Sequence, residues 1–241
     1  MKPEELLRAP ASPLPHATTR YAVPPLTDRS RGAPRLVDRE YLSIVYRSDP
    51  DALRAVVPEP LEVAEPLVRF EIANLDDPDG SGPRTEACQV VAVRYGGEDG
   101  EYLHAIHLCG IDALPAGHVP PASPESAGTP HLVVEEDTLV GTLDCGTQRV
   151  ATATMPYEYA PMNLGEAREQ ITRPTFAVKP GSGASGTGPR GLVRTEPAGI
   201  TVRQAWRGPA RLQLFEHALA PLAALPVLEI VSASHVLADR A

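Results

Sequence analysis

Proline, which occurs 27 times, is the feature that most limits what this chain can fold into. Its ring removes a backbone hydrogen-bond donor and breaks the interior of a helix, so a mainly helical fold is excluded. Six of the prolines fall between Ala9 and Leu36, where they favour an extended arm. Strand-like runs rich in Val, Thr and Leu follow to the C-terminus. The sequence therefore predicts an extended arm over 1–36 and one domain over 37–241.

The segment Ser123–Met155 combines a polar turn with three strand-like runs. Ser123 and Pro124 fit the cap and the first position of a helix, so we expect Glu125 and Ser126 to open a single helical turn. The three runs predict an antiparallel meander. A turn that leads into a meander places its polar side chains at the mouth of a sheet, which makes the role of Glu125 and Ser126 the functional question.

Clear patterns also lie on both sides of this segment. Residues Arg39–Arg47 alternate as a strand, and Asp49 is placed to cap the helix that follows. After the meander, Asn163 and Glu166 form a capping-box-like helix start. In the predicted strand Leu67–Leu75, Arg69 and Glu71 share one face and apolar residues share the other. Many strands with a few short helices predict an α+β domain of mostly antiparallel β-structure, either a barrel or a sandwich.

Composition excludes several classes of partner. The formal net charge of −9 argues against binding to nucleic acid or to an anionic membrane surface, because proteins bind these negatively charged partners through Lys and Arg. The three cysteines show no CxxC spacing, which argues against a disulfide framework and favours the cytoplasm. The N-terminus lacks the apolar run of a signal peptide.

Most kinds of catalytic site are also absent from the sequence. The predicted strand Glu101–Cys109 places His107 on one face with Leu103, Ala105 and Cys109. His104, three residues earlier, falls on the opposite face, so we expect no metal. No GxSxG or phosphate-binding loop occurs, and nothing calls for a cofactor. The remaining candidates are the carboxylates Glu71, Glu86 and Glu125, each of which lies next to apolar residues. For any one of them taken alone, a solvated strand end or a charge at a helix N-terminus is the favoured explanation.

Five stretches of the chain carry a family resemblance: DREYLSIVYRSDPDALRAVVPEPLEVAEPLVRFEI, TEACQ, DTLVGTLDCGTQRVATATM, AWRGPARLQLFEHALAPL and EIVSASHVLAD. Together they closely resemble the acetoacetate decarboxylases, from about Asp38 to Asp239. The resemblance implies a cone-shaped antiparallel β-barrel with an enclosed pocket, assembled into a large homo-oligomer.

The resemblance also identifies a difference in the active segment. The family's enzymes form a Schiff base between the substrate ketone and a buried lysine that a neighbouring cation activates. Their Tyr-Pro-Lys-Lys segment corresponds to Ser123-Pro124-Glu125-Ser126 in this chain, so Glu125 and Ser126 replace the two lysines. The only lysines here, Lys2 and Lys179, lie outside that segment.

Other pocket residues match the family. Its arginine corresponds to Arg39, and its two glutamates correspond to Glu71 and Glu86. Since a carboxylate cannot form an iminium, we expect an enzyme that is not a decarboxylase. Three glutamates near one arginine repel one another, which favours a carboxylic acid that carries a proton. We therefore expect Glu125 to act as acid or base, with Glu71, Glu86 and Arg39 as the other catalytic residues.

The expected reaction is a dehydration, enolisation, aldol-type condensation or cyclisation of a β-keto or polyketide-like carbonyl compound in secondary metabolism, by a cyclase, a dehydratase or another lyase. Ser123 and Ser126 are smaller than the family's residues, which indicates a larger ligand than acetoacetate, and His107 and Leu219 are expected to line the same cavity. Two alternatives stay open: a binding protein that holds a small molecule without chemistry, and a relict useful only for oligomerisation.

Overall fold

The computed structural model describes residues 38–77, 82–109, 125–179 and 191–240, and the predicted arm over 1–36 lies outside them. These ranges form strands and two short α-helices, numbered in chain order. The strands are β1 (Arg39–Arg47), β2 (Glu62–Asp77), β3 (Gly82–Tyr95), β4 (Glu98–Leu108), β5 (Glu125–Ala127), β6 (Thr129–Glu135), β7 (Thr138–Cys145), β8 (Gln148–Pro156), β9 (Ala160–Pro161), β10 (Thr175–Lys179), β11 (Gly191–Thr195), β12 (Ile200–Arg207), β13 (Arg211–Leu214) and β14 (Glu229–Arg240). The helices are α1 (Pro50–Val56) and α2 (Leu164–Ile171), and a 3-10 helix covers Pro221–Ala224.

The strands make two sheets. The large sheet has the order β11-β10-β4-β3-β2-β1-β14-β12-β9, with β5 also paired to β4. The small sheet has the order β13-β8-β7-β6. All pairs are antiparallel except β4 with β10 and β4 with β5. This confirms the predicted α+β class and is consistent with a cone-shaped sheet, although the described strands do not close into a barrel.

One face of the large sheet packs against the small sheet and is here called the core face. On β2, Phe70 and Ile72 on this face are 1% and 0% exposed. The two sheets approach closely at Gly141, where an added Cβ would lie 2.8 Å from Ile72 Cδ1 and 3.2 Å from Leu42 Cδ2. The apolar rows of the two sheets therefore form the main core of the domain.

The opposite face, here called the network face, carries the charged residues of the same strands. Helix α2 covers one part of it, where Ala167 and Ile171 join a buried cluster with Tyr41. A second buried cluster on this face contains Val90, Leu103 and Ala177. The network face is thus buried as well, in part by α2.

The predicted helix starts are confirmed by their caps. Asp49 Oδ1 accepts hydrogen bonds from the backbone N–H groups of Asp51 and Ala52 at 2.9 and 2.8 Å, and Asn163 caps α2 in the same way. Neither helix of the described ranges is long and apolar enough to cross a bilayer. The cytoplasmic location stays a prediction.

Two predictions of local structure are wrong. Glu125 and Ser126 do not open a helical turn, because their backbone pairs in parallel with β4 as strand β5. On β4, the register against β3 shifts between Gln89 and Val90, so Leu103 pairs with Val90 on the network face while His107 pairs with Ala87 on the core face. This bulge reverses the alternation that the sequence alone predicts.

Candidate active site

A cross-strand row on the network face brings the central candidates together. Its positions from β5 to β1 are occupied by Glu125, Ile106, Cys88, Glu71 and Ser43, each in register with the next. Directly opposed residues of paired strands lie on the same face, with strands about 4.8 Å apart. The backbone therefore places position 125 and the predicted Glu71 on one line across the sheet.

Four side chains around this row form a continuous polar chain, here called the Arg69 network: Ser43, Arg69, Glu71 and Glu101. The Ser43 hydroxyl donates to Glu71 Oε2 at 2.5 Å, and Arg69 Nη1 donates to the same carboxylate. Arg69 Nε donates to Glu101 Oε1 at 3.0 Å, and Nη2 donates to the other oxygen. All four residues are buried, at 9% exposure or less. Buried charges are tolerated only when they are paired and hydrogen-bonded, as they are here.

The electrostatics of the network follow from this pairing. Burial opposes the charge on Arg69, but Glu101 and Glu71 outweigh it and hold the pKa of the guanidinium well above its usual value. Burial raises the pKa of the neighbouring Cys88 thiol well above its usual value, and Glu71 adds to that shift. At neutral pH Arg69 is therefore a fixed cation and Cys88 is a neutral thiol.

The predicted Arg39 lies on the same face, two residues from Tyr41 on β1. Arg39 and Tyr41 are each 8% exposed. Burial raises the pKa of Tyr41 to about 12, and a hydrogen bond with Arg39 offsets only part of that shift. Tyr41 is therefore a hydrogen-bond donor at neutral pH, next to a cation and within the electrostatic range of Glu71 and Glu86.

The third predicted carboxylate, Glu86, lies at the edge of this group. Its position on β3 is in register with Ala73 on β2, one row from Glu71. Arg84 Nε lies 3.8 Å from Glu86 Oε2, and the side chain of Glu86 is 25% exposed. Arg84 therefore contributes to offsetting the charge of Glu86, as Arg69 does for Glu71.

Two predicted substrate-binding residues lie on the other face of the sheet. His107 is 1% exposed and pairs with Ala87 on the core face, where its Cβ would lie 3.0 Å from a Cβ added at Gly128. Ser126 is in register with His107 and is half-buried. The structure therefore does not bring these two residues to the row that contains Glu71.

The other two predicted substrate-binding residues are not placed at the site either. Leu219 is 80% exposed, so it does not line an enclosed cavity of the chain as expected. Ser123 lies outside the described residues. For metals, no group of three or more His, Cys, Asp or Glu in the described ranges could hold an ion.

Sequence reasoning missed part of the site. Ser43, Tyr41 and Cys88 were not singled out, although all three alternate with apolar residues on their strands. Glu101 was missed because its partner, Arg69, lies 32 residues earlier in the chain. The available signal was polar side chains at alternate positions of strands that are otherwise apolar.

Comparison with known proteins identifies relatives over nearly the whole chain. The model of the family described as acetoacetate decarboxylase matches residues 12–240. A protein named acetoacetate decarboxylase from Streptomyces nogalater is 54% identical over 241 residues, which is 99% of this chain and 94% of the relative. Another of that name, from Clostridium acetobutylicum, is 50% identical and covers 89% of each chain. A solved structure described as structural studies of acetoacetate decarboxylase superposes with a TM-score of 0.80 at 49% identity, covering 86% of this chain and 87% of the other.

These relatives overturn the functional prediction made from the sequence. That prediction held that the chain is not a lysine-dependent decarboxylase and instead performs acid-base chemistry, or binds a ligand without chemistry. Proteins that are 49–54% identical over most of the chain are named acetoacetate decarboxylases, which supports a decarboxylase and hence a lyase. The cyclase and dehydratase activities and the role in secondary metabolism are not confirmed. The prediction was wrong because it gave two positions, 125 and 126, more weight than the rest of the chain.

Proposed function

The chain belongs to the acetoacetate decarboxylase family, and from that premise we propose that it decarboxylates a β-keto acid of the acetoacetate type. The observation that carries the proposal is the 54% identity to a protein named acetoacetate decarboxylase over 99% of this chain. The buried Arg69 network supports it, because charged groups enclosed on one face of a sheet are typical of sites that bind and convert a polar molecule.

The residues around Arg39 suit the two ends of such a substrate. A β-keto acid carries a carboxylate and a ketone that are separated by one carbon atom. A buried arginine binds a carboxylate through two parallel N–H donors, so Arg39 is suited to hold and orient the acid group. Tyr41 stays protonated at neutral pH and is suited to donate to the ketone oxygen. Loss of carbon dioxide leaves an electron pair on carbon, and the site must stabilise it until a proton arrives.

We further propose that position 125 does not supply the Schiff-base amine of this reaction. The resemblance aligns Glu125 and Ser126 with the lysine pair of the family, and a carboxylate cannot form an iminium. The sequence offers only two other side-chain amines, those of Lys2 and Lys179. In this proposal the chemistry of the family is retained while the amine comes from a different position in the chain.

Carbon dioxide release from acetoacetate tests the proposed function directly. We expect the purified chain to release carbon dioxide and acetone well above the rate of spontaneous decarboxylation. Levulinate is the matched control, because its ketone lies one carbon further from the carboxylate and cannot accept the electron pair. Release from acetoacetate that does not exceed the spontaneous rate, with the protein folded, would contradict the proposal.

We also propose that the chain works as a homo-oligomer without bound nucleic acid or membrane, as the resemblance and the net charge of −9 support. Sedimentation velocity of the full chain is expected to show a single species heavier than the 25.7 kDa monomer. A species at the monomer mass that remains active would contradict this part.

A further inference from the structure

We propose that Glu101 is a positioning residue of the decarboxylation site, which holds Arg69 so that one oxygen of Glu71 stays available to the substrate. The inference rests on the proposed decarboxylation, because it assumes that the β-keto acid binds on the network face. Its basis is the unequal way in which the two carboxylates share one guanidinium.

Arg69 makes different kinds of contact with its two partners. Its Nε and Nη2 atoms donate to Oε1 and Oε2 of Glu101, so this pair is bidentate. Glu71 receives a single donor, Nη1, at its Oε2 atom. Glu101 also does more than Glu71 to raise the pKa of the guanidinium. Glu101 is therefore the partner that fixes the plane and the direction of Arg69.

The two oxygens of Glu71 have different surroundings. Oε2 accepts hydrogen bonds from Arg69 and from the Ser43 hydroxyl, the latter at 2.5 Å. Oε1 accepts none from the residues that the structure describes. The side chain of Glu71 also keeps 11% of its surface exposed. Oε2 therefore anchors the carboxylate, while Oε1 is available to a molecule bound on the network face.

Glu71 lies close to the groups proposed to bind the substrate. It is in register with Ser43 on β1, and Tyr41 and Arg39 are the next residues on the same face of that strand. Diagonal neighbours such as Glu71 and Tyr41 are about 7–8 Å apart, within reach of long side chains. The reaction needs proton transfers at the ketone oxygen and at the carbon that carbon dioxide leaves. A carboxylate oxygen here can take a proton from water and give it up to either atom, with no other reactant.

Glu101 keeps Arg69 from occupying both oxygens of Glu71. Arginine and carboxylate groups frequently pair through two parallel N–H donors. Glu101 takes the Nε–Nη2 edge of the guanidinium, which leaves one donor for Glu71. Without the charge of Glu101, we expect the guanidinium to turn and bind both oxygens of Glu71, which would block Oε1.

The backbone of Glu101 is held on both edges, which suits a positioning role. It pairs with β3 on one side and is in register with Thr175 of β10 on the other. Its N–H donates to the Pro174 carbonyl at 2.9 Å, and the residue is 5% exposed. Residues that orient a reactive group work best when their own geometry is locked by packing and hydrogen bonds.

A double-mutant cycle tests whether Glu101 acts through Glu71. Glu101→Gln removes the charge and keeps the size of the side chain, and we expect kcat for acetoacetate to fall about tenfold or more. Glu71→Gln should lower kcat about a hundredfold. Glu101→Gln added to Glu71→Gln should lower it no further, because the oxygen that Glu101 protects is already replaced. Glu98→Gln is the control and should leave kcat unchanged, because Glu98 pairs with Arg194 at 2.6 Å on the same strand but is 43% exposed.

Crystal structures of the wild type and of Glu101→Gln provide a second measurement that does not depend on turnover. We expect Arg69 to contact Oε2 of Glu71 alone in the wild type and both side-chain oxygens of Glu71 in the variant. If Glu101→Gln does not fold, Glu101→Asp takes its place, since a side chain one carbon shorter loses one of the two contacts. Its loss of kcat should be smaller and should again vanish in the Glu71→Gln background.

The two measurements separate this proposal from the proposed function. If the wild type releases no carbon dioxide above the spontaneous rate but Arg69 turns in the variant, the function is overturned and the positioning of Glu71 by Glu101 stands. If carbon dioxide is released but Arg69 keeps its single contact, or the two substitutions lower kcat independently, the positioning role is overturned and the function stands. Neither release nor a turn of Arg69, in chains that melt cooperatively, overturns both.

Discussion

The two faces of the large sheet are built from the same strands but are buried by different means. On β2, Val68, Phe70 and Ile72 on the core face are at most 1% exposed, while Arg69 and Glu71 on the network face are 9% exposed. The core face gains stability from apolar area removed from water. The network face encloses three charged side chains and a hydroxyl, which costs desolvation free energy that the ion pairs only offset.

This difference indicates which face is arranged for chemistry. Polar groups on the core face, such as Gln89 and Tyr46, are neutral and hydrogen-bonded to each other at 2.7 Å. Gln89 and Tyr46 are held in place by the residues that bury them, and neither carries a charge that could bind a substrate. A chain that needed only stability would have no reason to bury Arg69, Glu71 and Glu101 together.

Removal of the central cation should have the largest effect of the changes considered. Arg69→Met leaves Glu71 and Glu101 buried without their guanidinium partner, so we expect the free energy of unfolding to fall by about 3–5 kcal/mol. Urea denaturation followed by circular dichroism measures it. The control is Arg94→Met, because Arg94 pairs with Asp99 at 2.7 Å on neighbouring strands but is 53% exposed. We expect that variant to lose far less stability, because exposed ion pairs are weakened by solvent. If Arg69→Met and Arg94→Met lose the same free energy of unfolding, burial adds nothing to the strength of the ion pairs on the network face.

The next effect is on catalysis rather than on stability. Arg39→Met removes the donors proposed for the substrate carboxylate, and we expect kcat/KM for acetoacetate to fall about a hundredfold or more. Arg47→Met is the matched control, because Arg47 ends the same strand but is 46% exposed and pairs with Glu229 at 3.1 Å. If Arg39→Met and Arg47→Met have the same steady-state kinetics, Arg39 has only a structural role and the prediction is wrong.

On the core face, loss of a neutral hydrogen bond should cost less than loss of the cation. Gln89 Nε2 donates to the Tyr46 hydroxyl at 2.7 Å and to the Leu222 carbonyl at 3.1 Å. Gln89→Leu leaves that buried carbonyl without this donor, so we expect a loss of about 1–3 kcal/mol with kcat/KM unchanged. Denaturation and the carbon dioxide assay are measured on the same preparation. A large fall in kcat/KM at intact stability would show that the core face also takes part in chemistry.

The smallest effect is a pH dependence that belongs to the core face. Burial lowers the pKa of His107 below the usual 6.5, with a further lowering from His217. As the pH falls below 6.5 the unfolded chain binds this proton before the folded chain does, so the folded state loses stability until the folded pKa is passed. We expect His107→Gln to remove a slope of up to about 1.4 kcal/mol per pH unit below that value. Unfolding midpoints at pH 7.5 and pH 5.5 measure it, and an unchanged difference between wild type and variant would contradict the assignment.

Local patterns in the sequence predicted the elements of the fold well. The limits of β1, the caps Asp49 and Asn163, and the separation of Arg69 and Glu71 from the apolar face of β2 all follow from alternation and capping. These features depend only on neighbouring residues, so the structure confirms them.

What the sequence did not predict depends on pairing between distant strands. The bulge opposite Gln89 and Val90 moved His107 to the core face, and no local signal marks it. The parallel pairing of β5 with β4 turned the expected helical turn at Glu125 into a strand, and β10 also pairs with β4 in parallel. Such contacts join residues far apart in the chain, and alternation within one strand carries no information about them.

The approach of β10 to β4 also depends on Gly100. An added Cβ there would lie 2.6 Å from Phe176 Cε2 and 2.7 Å from the Pro174 carbonyl oxygen, while Glu101 N donates to the same carbonyl at 2.9 Å. Any larger residue would force β10 away from β4 at the point where Thr175 is in register with Glu101 of the Arg69 network. A residue with no functional group therefore limits how closely a neighbouring strand can approach the buried ion pairs.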